Sequence, residues 1–334
     1  MVKVLLEGME KLLTPNGVFI AAPSEEYRAC WIRDQLYTCF SYYYLGDFEK
    51  LKKGIWIVFD ILQKHRPKLE KAICDFFHNC IHAKYTCDTL DEITHDWGHH
   101  QLDALGLFIY LIAYCDSKDI KVFRDRKDYE LVDLLVYYLT TIRYWKEEDH
   151  GMWEDDEDIH SSSIGAVLAG LSCLEKRGIT FIPLCAIKLG EESLNNLVPR
   201  ESSMREVDMA QLSLIWPYDI ISDKIADIIL ERVKGKLVQE HGLNRYLGDN
   251  YYKSDNRMSA EWPLGFFWLS IIASQRKNPT EAKYWFNKGL EQRTAEGYIP
   301  ELYQNELPNK NTPLAWAHSL AIVAKTKLSN NKKG

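Results

Sequence analysis

Apolar residues recur at i, i+3 and i+4 along most of the chain, the period of a helix that buries one face. Segments near 2–13, 31–45, 48–65, 68–82, 99–115, 128–144, 161–177, 183–198, 206–216, 219–234, 259–274, 280–292 and 313–327 carry the pattern. Several have readable ends. Gly46 closes one helix and Asp47 caps the next, Ser161 to Ser163 offer N-caps before IGAVLAGLSCL, and Gly178 stops that helix. Thr312 and Pro313 read as an N-cap and a first-turn proline. Short extended pieces at 18–22 and 243–247 interrupt the helices, and no linker or low-complexity tract divides them. The spacing predicts an all-α single domain over 1–330, built from roughly a dozen helices. A solenoid of stacked pairs should show a repeated signature, and none is visible, so the pairs are expected to close into an (α/α) toroid. Such a ring brings alternate loops to one end. The loops carry the unusual clusters WIRD, HDWGHHQLD, GMWEDDED, LNRYLGD and GYIPELYQNE.

Composition narrows the function classes. Of 334 residues, 46% are hydrophobic and 27% charged, as in globular proteins. A net charge of −7 without a basic stripe speaks against nucleic acid; the longest basic cluster is Lys332–Lys333. No run of about 18 apolar residues predicts a membrane span. Glu7 and Glu10 break the first apolar stretch, which lacks a cleavage site, so it does not read as a signal peptide and a cytoplasmic location is expected. The cysteines at 30, 39, 74, 80, 87, 115, 173 and 185 have no zinc spacing and read as reduced, buried thiols. His95 and His99 lie four apart, but Asp96 follows His95 and Gly98 weakens a helix there, so a zincin site is not expected. Neither a metal nor a cofactor is anticipated. Ten Trp and nineteen Tyr suit either a large core or a surface for stacking on sugars.

Four clusters have chemical potential. In EEDHGMWEDDED, residues 147–158, eight acids crowd twelve positions. That is the composition of a solvated acidic loop, and it lacks the ligand alternation of an EF-hand. Yet Glu154, among like charges and beside the Trp153 ring, should be harder to ionise, as a proton donor to a glycosidic oxygen must be. In GYIPELYQNE, Glu301 follows Pro300 and is either an ordinary loop glutamate or, paired with Glu154, a base for water. Arg33 and Asp34 form a structural ion pair or a clamp for sugar hydroxyls. In HDWGHHQLDALG, Trp97 can pack in the core or stack on a sugar, while Gln101 and Asp103 can hydrogen-bond across helices.

Taken together, from Trp31 to Ser319, these clusters resemble glycoside hydrolase family 15, the glucoamylase-like enzymes. The resemblance implies an (α/α)6 toroid and hydrolysis of α-glucosidic bonds with inversion. WIRD looks like the motif that holds the non-reducing-end glucose, which implies Arg33 and Asp34. WGHHQLDALG implies Trp97 as a stacking ring, with Gln101 and Asp103 in the substrate site. MWED implies Glu154 as general acid, flanked by Trp153 and Asp155 at the substrate. NRYLGD implies Arg245 on sugar hydroxyls, PELY implies Glu301 as general base, and PLAWAHS implies Trp316. Leu302 follows Glu301 where the family's glucoamylases usually carry Gln. PELY is also similar to the helical domain of phosphorylase kinase α and β subunits. Neither a β-sandwich domain nor a starch-binding module is present, which turns the expectation from polymeric starch to an oligosaccharide. The expected function is an inverting exo-acting glycoside hydrolase. Its rival is a non-catalytic carbohydrate-binding or regulatory module on the same toroid. Linkage (α-1,4, α-1,6 or α,α-1,1), sugar identity and oligomeric state are left open by the sequence.

Overall fold

The computed structural model of the chain describes residues 1–74, 80–95, 97–253 and 259–330. Twelve α-helices occur among them: α1 Val2–Glu10, α2 Ile32–Leu45, α3 Phe48–Lys64, α4 Arg66–Ala72, α5 Leu102–Asp116, α6 Arg126–Thr141, α7 Ser161–Arg177, α8 Leu184–Leu197, α9 Asp223–Lys236, α10 Leu264–Gln275, α11 Pro279–Glu291 and α12 Ala315–Asn330. Two small antiparallel pairs accompany them, β1 (Cys30–Trp31) with β2 (Lys84–Tyr85) and β3 (Tyr303–Gln304) with β4 (Leu307–Pro308).

Burial sorts the helices into two layers. In α5 every residue but Tyr114 and Asp116 is buried, and in α10 every residue but Gln275. These are helices with neighbours on all sides. By contrast α6 buries Leu131, Val132, Leu135, Val136 and Leu139 and leaves Tyr129 and Tyr137 to solvent. The buried set closes on itself: α2 packs on α5, α5 on α7, α7 on the 3-10 turns at Met209–Leu214, those turns on α10, α10 on α12, and α12 back on α2. Outside this ring, α1, α3, α8, α9 and α11 lie against α12, α2, α7, the 209–214 turns and α10, and α6 sits on α3 and α4. The result is the (α/α)6 toroid.

Most expected helices are present, with instructive exceptions. The fourth inner stave, expected as a helix over 206–216, is only two turns of 3-10 helix. Asp208 caps its start by accepting from Ala210 N, and Pro217, which has no N–H, follows Trp216. The helix expected over 68–82 ends at Ala72, and residues 75–79 lie outside the described residues, as do Asp96 and Lys332–Lys333. Gly46 and Gly178 end α2 and α7 in the left-handed region, at φ 77° and 62°, and the Asp47 side chain accepts from Lys50 N. Ser161 to Ser163 are not N-caps. His160 holds that position, and the three hydroxyls donate instead to the buried carboxylates Glu201 and Asp149. Thr312 does not cap α12 either: its hydroxyl donates to the Asn309 carbonyl, and the helix begins at Ala315. The thiols are not uniformly buried: Cys30, Cys39 and Cys115 are, whereas Cys74 and Cys185 are exposed. No helix among the described residues is long and apolar enough to cross a membrane.

The ring is sealed by polar contacts that span the sequence. Buried His318 on α12 donates from Nδ1 to the Leu5 carbonyl of α1 and accepts from Ile299 N at Nε2. Both bonds require a neutral ring, and burial lowers its pKa to about 4. The α5–α7 contact is the tightest: a Cβ at Gly106 would lie 2.5 Å from backbone atoms of Ala166 and Val167. Gly106→Ala is therefore expected to lower stability by roughly 1–3 kcal/mol in urea denaturation, the usual cost of overpacking, despite alanine's better helix propensity. An unchanged or raised midpoint would contradict backbone contact at this point.

Candidate functional site

The first turns of α2 and α12, with the loops that carry Trp97, Trp153, Arg245 and Glu301, line one cavity of about 260 Å³, at the small end of ligand sites. Arg33 and Asp34 come from the first turn of α2, Trp316 from that of α12, and Trp262 from the residues before α10. Nine of the eleven residues singled out in the sequence line this cavity: Arg33, Asp34, Trp97, Trp153, Glu154, Asp155, Arg245, Glu301 and Trp316. Gln101 and Asp103 do not. They stand behind Arg33 at the start of α5. Asp103 receives Arg33 Nε at 2.6 Å and Nη2 at 3.0 Å, and Gln101 also accepts from Nη2. Both fix a buried guanidinium, and Gln101 also hydrogen-bonds Glu154.

Glu154 is presented by a closed loop. Asp149 and Asp158 exchange both backbone hydrogen bonds at its base, and His150 N and Nδ1 tie it to His100 O and Asp155 O. At the tip, Glu154 adopts φ 64°, a left-handed conformation uncommon for a non-glycine residue. A Cβ at Gly98 would fall 2.8 Å from the Glu154 carbonyl, so only glycine lets the 97–101 segment lie flat on this turn. Trp97, beside it, donates from Nε1 to Glu154 Oε2 at 3.1 Å, and Arg33 Nη1 stands 3.7 Å from Oε1. Burial pushes the Glu154 carboxyl above the usual range, while Arg33, a hydrogen bond from Gln101, Lys84 and Arg245 pull it down. This corrects the sequence-based cause. Loss of water is the largest cause of the rise, and the acids of the 147–158 loop are not among the main ones.

Glu301 is 1% exposed and is the most thoroughly hydrogen-bonded acid in the cavity. Tyr27 donates to Oε1 at 2.6 Å; Asn309 and Asn311 donate to Oε2, each at 2.6 Å. Burial raises its pKa, and these three donors and Arg245 oppose the rise. Leu302, the departure after the base position, points its side chain into the core at 0% exposure. Asp34 titrates near 7, lifted by burial against the pull of Arg33, with Glu154 and Glu301 adding to the rise.

Arg245 is held by bidentate bonds to Asp249, both 2.7 Å, and lies against the rings of Tyr251, Trp262 and Trp153. Asp155 accepts from Tyr246 at 2.8 Å and Arg205 at 3.1 Å, so its carboxylate is largely committed to protein. Trp153 is anchored by its Nε1–H to Asp208 Oδ1 at 2.7 Å.

Several contributors carried no sequence signal that motif reading uses. Tyr27 precedes WIRD in an unremarkable stretch. Tyr251, Trp262, Asn309 and Asn311 sit outside the clusters that drew attention as ligand-binding positions. Lys84 reaches the site only because β2 pairs with β1; its ammonium lies 4.3 Å from the Trp31 ring and 4.8 Å from that of Trp97, and burial lowers its pKa. Asp249 had a visible cue, four residues after Arg245 within LNRYLGD.

This arrangement, a helical toroid with buried Glu301 and half-buried Glu154 in an aromatic cavity at one end, is a glycoside hydrolase fold. The profile of the glycosyl hydrolases family 15 matches residues 8–326, and the chain belongs to that family. A wild-type glycosidase structure superposes with a TM-score of 0.81 at 18% identity, covering 98% of this chain and 96% of that one. A glycosidase variant in complex with glucose gives 0.82 at 17% identity with the same coverage. A bacterial glucoamylase complexed with acarbose gives 0.71 at 16%, covering 98% of this chain and 55% of that one. At these identities the likeness speaks to the fold alone. In sequence, the chain is 25% identical over 304 residues to a probable phosphorylase b kinase regulatory subunit alpha of Caenorhabditis elegans, covering 73% of this chain and 24% of that protein. It is 26% identical over 306 residues to the skeletal muscle isoform of Oryctolagus cuniculus, with the same coverage. The chain thus spans about a quarter of the length of these relatives.

The buried Arg33–Asp103 pair generates a direct expectation. Asp103→Ala leaves a guanidinium without its carboxylate and should cost about 3–5 kcal/mol in urea denaturation. A loss below 1 kcal/mol would mean that Gln101 and solvent suffice to hold Arg33.

Proposed function

We propose that the chain is an inverting exo-acting glycoside hydrolase that removes a terminal α-linked glucose from an oligosaccharide. The observation that carries this reading is the unequal provision for two carboxyls in one cavity. Among the described residues, Glu154 accepts from Trp97 and Gln101 only, whereas Glu301 receives three hydrogen bonds, from Tyr27, Asn309 and Asn311. Donors favour the ionised form, and burial without them favours the protonated one. The pair is therefore suited to an acid and a base respectively.

In the proposed reaction Glu154 gives its proton to the glycosidic oxygen as the C1–O bond breaks. Glu301 takes a proton from a water that attacks C1 from the opposite face, so an α-linkage yields the β-anomer. Proton exchange with solvent then restores both groups. Asp34 and Arg33 offer an acceptor and a donor to sugar hydroxyls, Arg245 a second donor, and Trp97, Trp153 and Trp316 flat apolar walls.

The sequence relatives are regulatory subunits, which supports a second reading, a regulatory or carbohydrate-sensing toroid without turnover. Maltose, isomaltose and trehalose distinguish the two, with the released sugar followed by proton NMR. The hydrolase reading expects β-glucose to appear first from at least one substrate. Initial α-glucose would exclude inversion, and oligosaccharide binding with no release from any of the three would favour the regulatory reading. Glu154→Gln and Glu301→Gln should each reduce turnover by roughly 10²–10⁴-fold with circular dichroism unchanged. A variant that keeps its rate removes that residue from the mechanism.

A further inference from the structure

The strand that returns from the β3–β4 hairpin passes directly beside Glu301. Glu301 N donates to Asn311 O at 3.0 Å and Asn309 N to Leu302 O at 3.0 Å, so the base position and the two asparagines form one backbone ladder. Asn309 and Asn311 are two residues apart on an extended segment, and alternate side chains on such a segment share a face. Both amides accordingly end on the same oxygen, Oε2. The hairpin itself is pinned from outside, because Tyr303 and Glu261 exchange backbone hydrogen bonds.

The orientation of one amide is fixed. Ser24 donates to Asn311 Oδ1, which leaves the Asn311 amino group for Glu301. Asn309 has no such support: its Oδ1 is buried without a hydrogen-bond partner, so its amino group is held by Glu301 alone. With Tyr27 on Oε1, the carboxylate meets donors only. A proton on Oε2, or on the side of Oε1 that faces Tyr27, would meet a donor, so only the remaining Oε1 lone pair is open to one.

We infer that Asn309 and Asn311 are positioning residues that keep Glu301 ionised and aim its remaining lone pair of Oε1 into the cavity, doing from across the hairpin what the buried Leu302 side chain cannot. The inference rests on reading Glu301 as the base. Other charged or titratable groups act on the same carboxyl: Arg245, Asp34, Tyr27, Tyr251 and Tyr252. None of them belongs to the hairpin, so the asparagine contribution is separable by mutation.

The sign is fixed by which form the amides favour. Removing a donor to the ionised form raises the pKa of Glu301, so the acid side of the pH profile moves upward. Asn309→Ala and Asn311→Ala are each expected to shift the acid limb of kcat/KM up by about one pH unit, with KM at the optimum changed less than threefold. Ser24→Ala, which touches only Asn311, should shift it in the same direction by less. Thermal midpoints of all three variants report folding separately. A limb that stays within 0.2 unit (roughly the resolution of such a profile) while activity falls evenly at all pH values would make the asparagines merely structural and overturn the inference. Binding of a basic iminosugar, 1-deoxynojirimycin, by calorimetry across pH provides a readout that needs no turnover. If no substrate is cleaved yet the acid limb of iminosugar binding moves in the variants, the asparagine clamp stands and the hydrolase reading fails. If turnover is present and neither limb moves, the clamp fails alone.

Discussion

The ring is built of helices whose first turns leave backbone N–H groups without partners, and those of α2 and α12 face the cavity. The rest of the structure follows from how those groups are answered. Asp149 accepts from Leu102 N at the start of α5 and from the Ser163 hydroxyl on α7. Glu201 accepts from the hydroxyls of Ser161 and Ser162 and, at 3.3 Å, from Ser162 N. Asp208 accepts from Ala210 N and also from the Trp153 indole, so one carboxylate caps the shortest stave and sets a wall of the cavity. His160 lies 3.4 Å from Glu201; burial works against its charge, but Glu201 and Asp149 outweigh burial and carry its pKa up to about 9. The rim is thus a belt of helix ends and buried anions, and the ligand-facing residues are mounted on it.

Mounting explains which parts of the site were legible in the sequence. Arg33, Trp97, Trp153, Glu154, Arg245 and Glu301 stand in compact clusters because each loop must present its residue from a short, shaped segment. Gly98 and the tight turn at Glu154 show that shape. The helices were legible from periodicity because a closed ring buries one continuous stripe of each outer helix. What escaped reading were contacts made across the ring. Tyr27 and Glu301 lie 274 residues apart, and Lys84 meets Trp97 through a two-residue strand pair. The N-cap expectation at Ser161 to Ser163 failed for the same reason, since carboxylates from other loops took their hydroxyls, whereas the Thr312 hydroxyl turned to the Asn309 carbonyl in its own segment.

The structural neighbours are glycosidases and the sequence relatives are kinase regulatory subunits, and this difference of role need not lie in the ring. A cavity of this kind offers rings and ions to a ligand whether or not a bond is broken. Cleavage asks for one thing more, that a proton rest on one carboxyl and be absent from the other. The residues that decide this are the neighbours of the acids: an indole and a guanidinium at Glu154, two amides and a phenol at Glu301.

The seam between α12 and α2 has a kinetic consequence. Ser319 donates to Tyr37 O across 282 residues, and His318 reaches Leu5 O across 313. Joining them requires closing nearly the whole chain into one loop, an entropic cost that increases with the logarithm of its length and is offset only when the final contacts form. An arc of five packed staves can hold secondary structure and most of a core, but Tyr27 and Glu301 belong to opposite sides of the gap. During refolding, a signal from the assembled cavity should therefore lag behind the recovery of helix content, because the cavity is what ring closure creates.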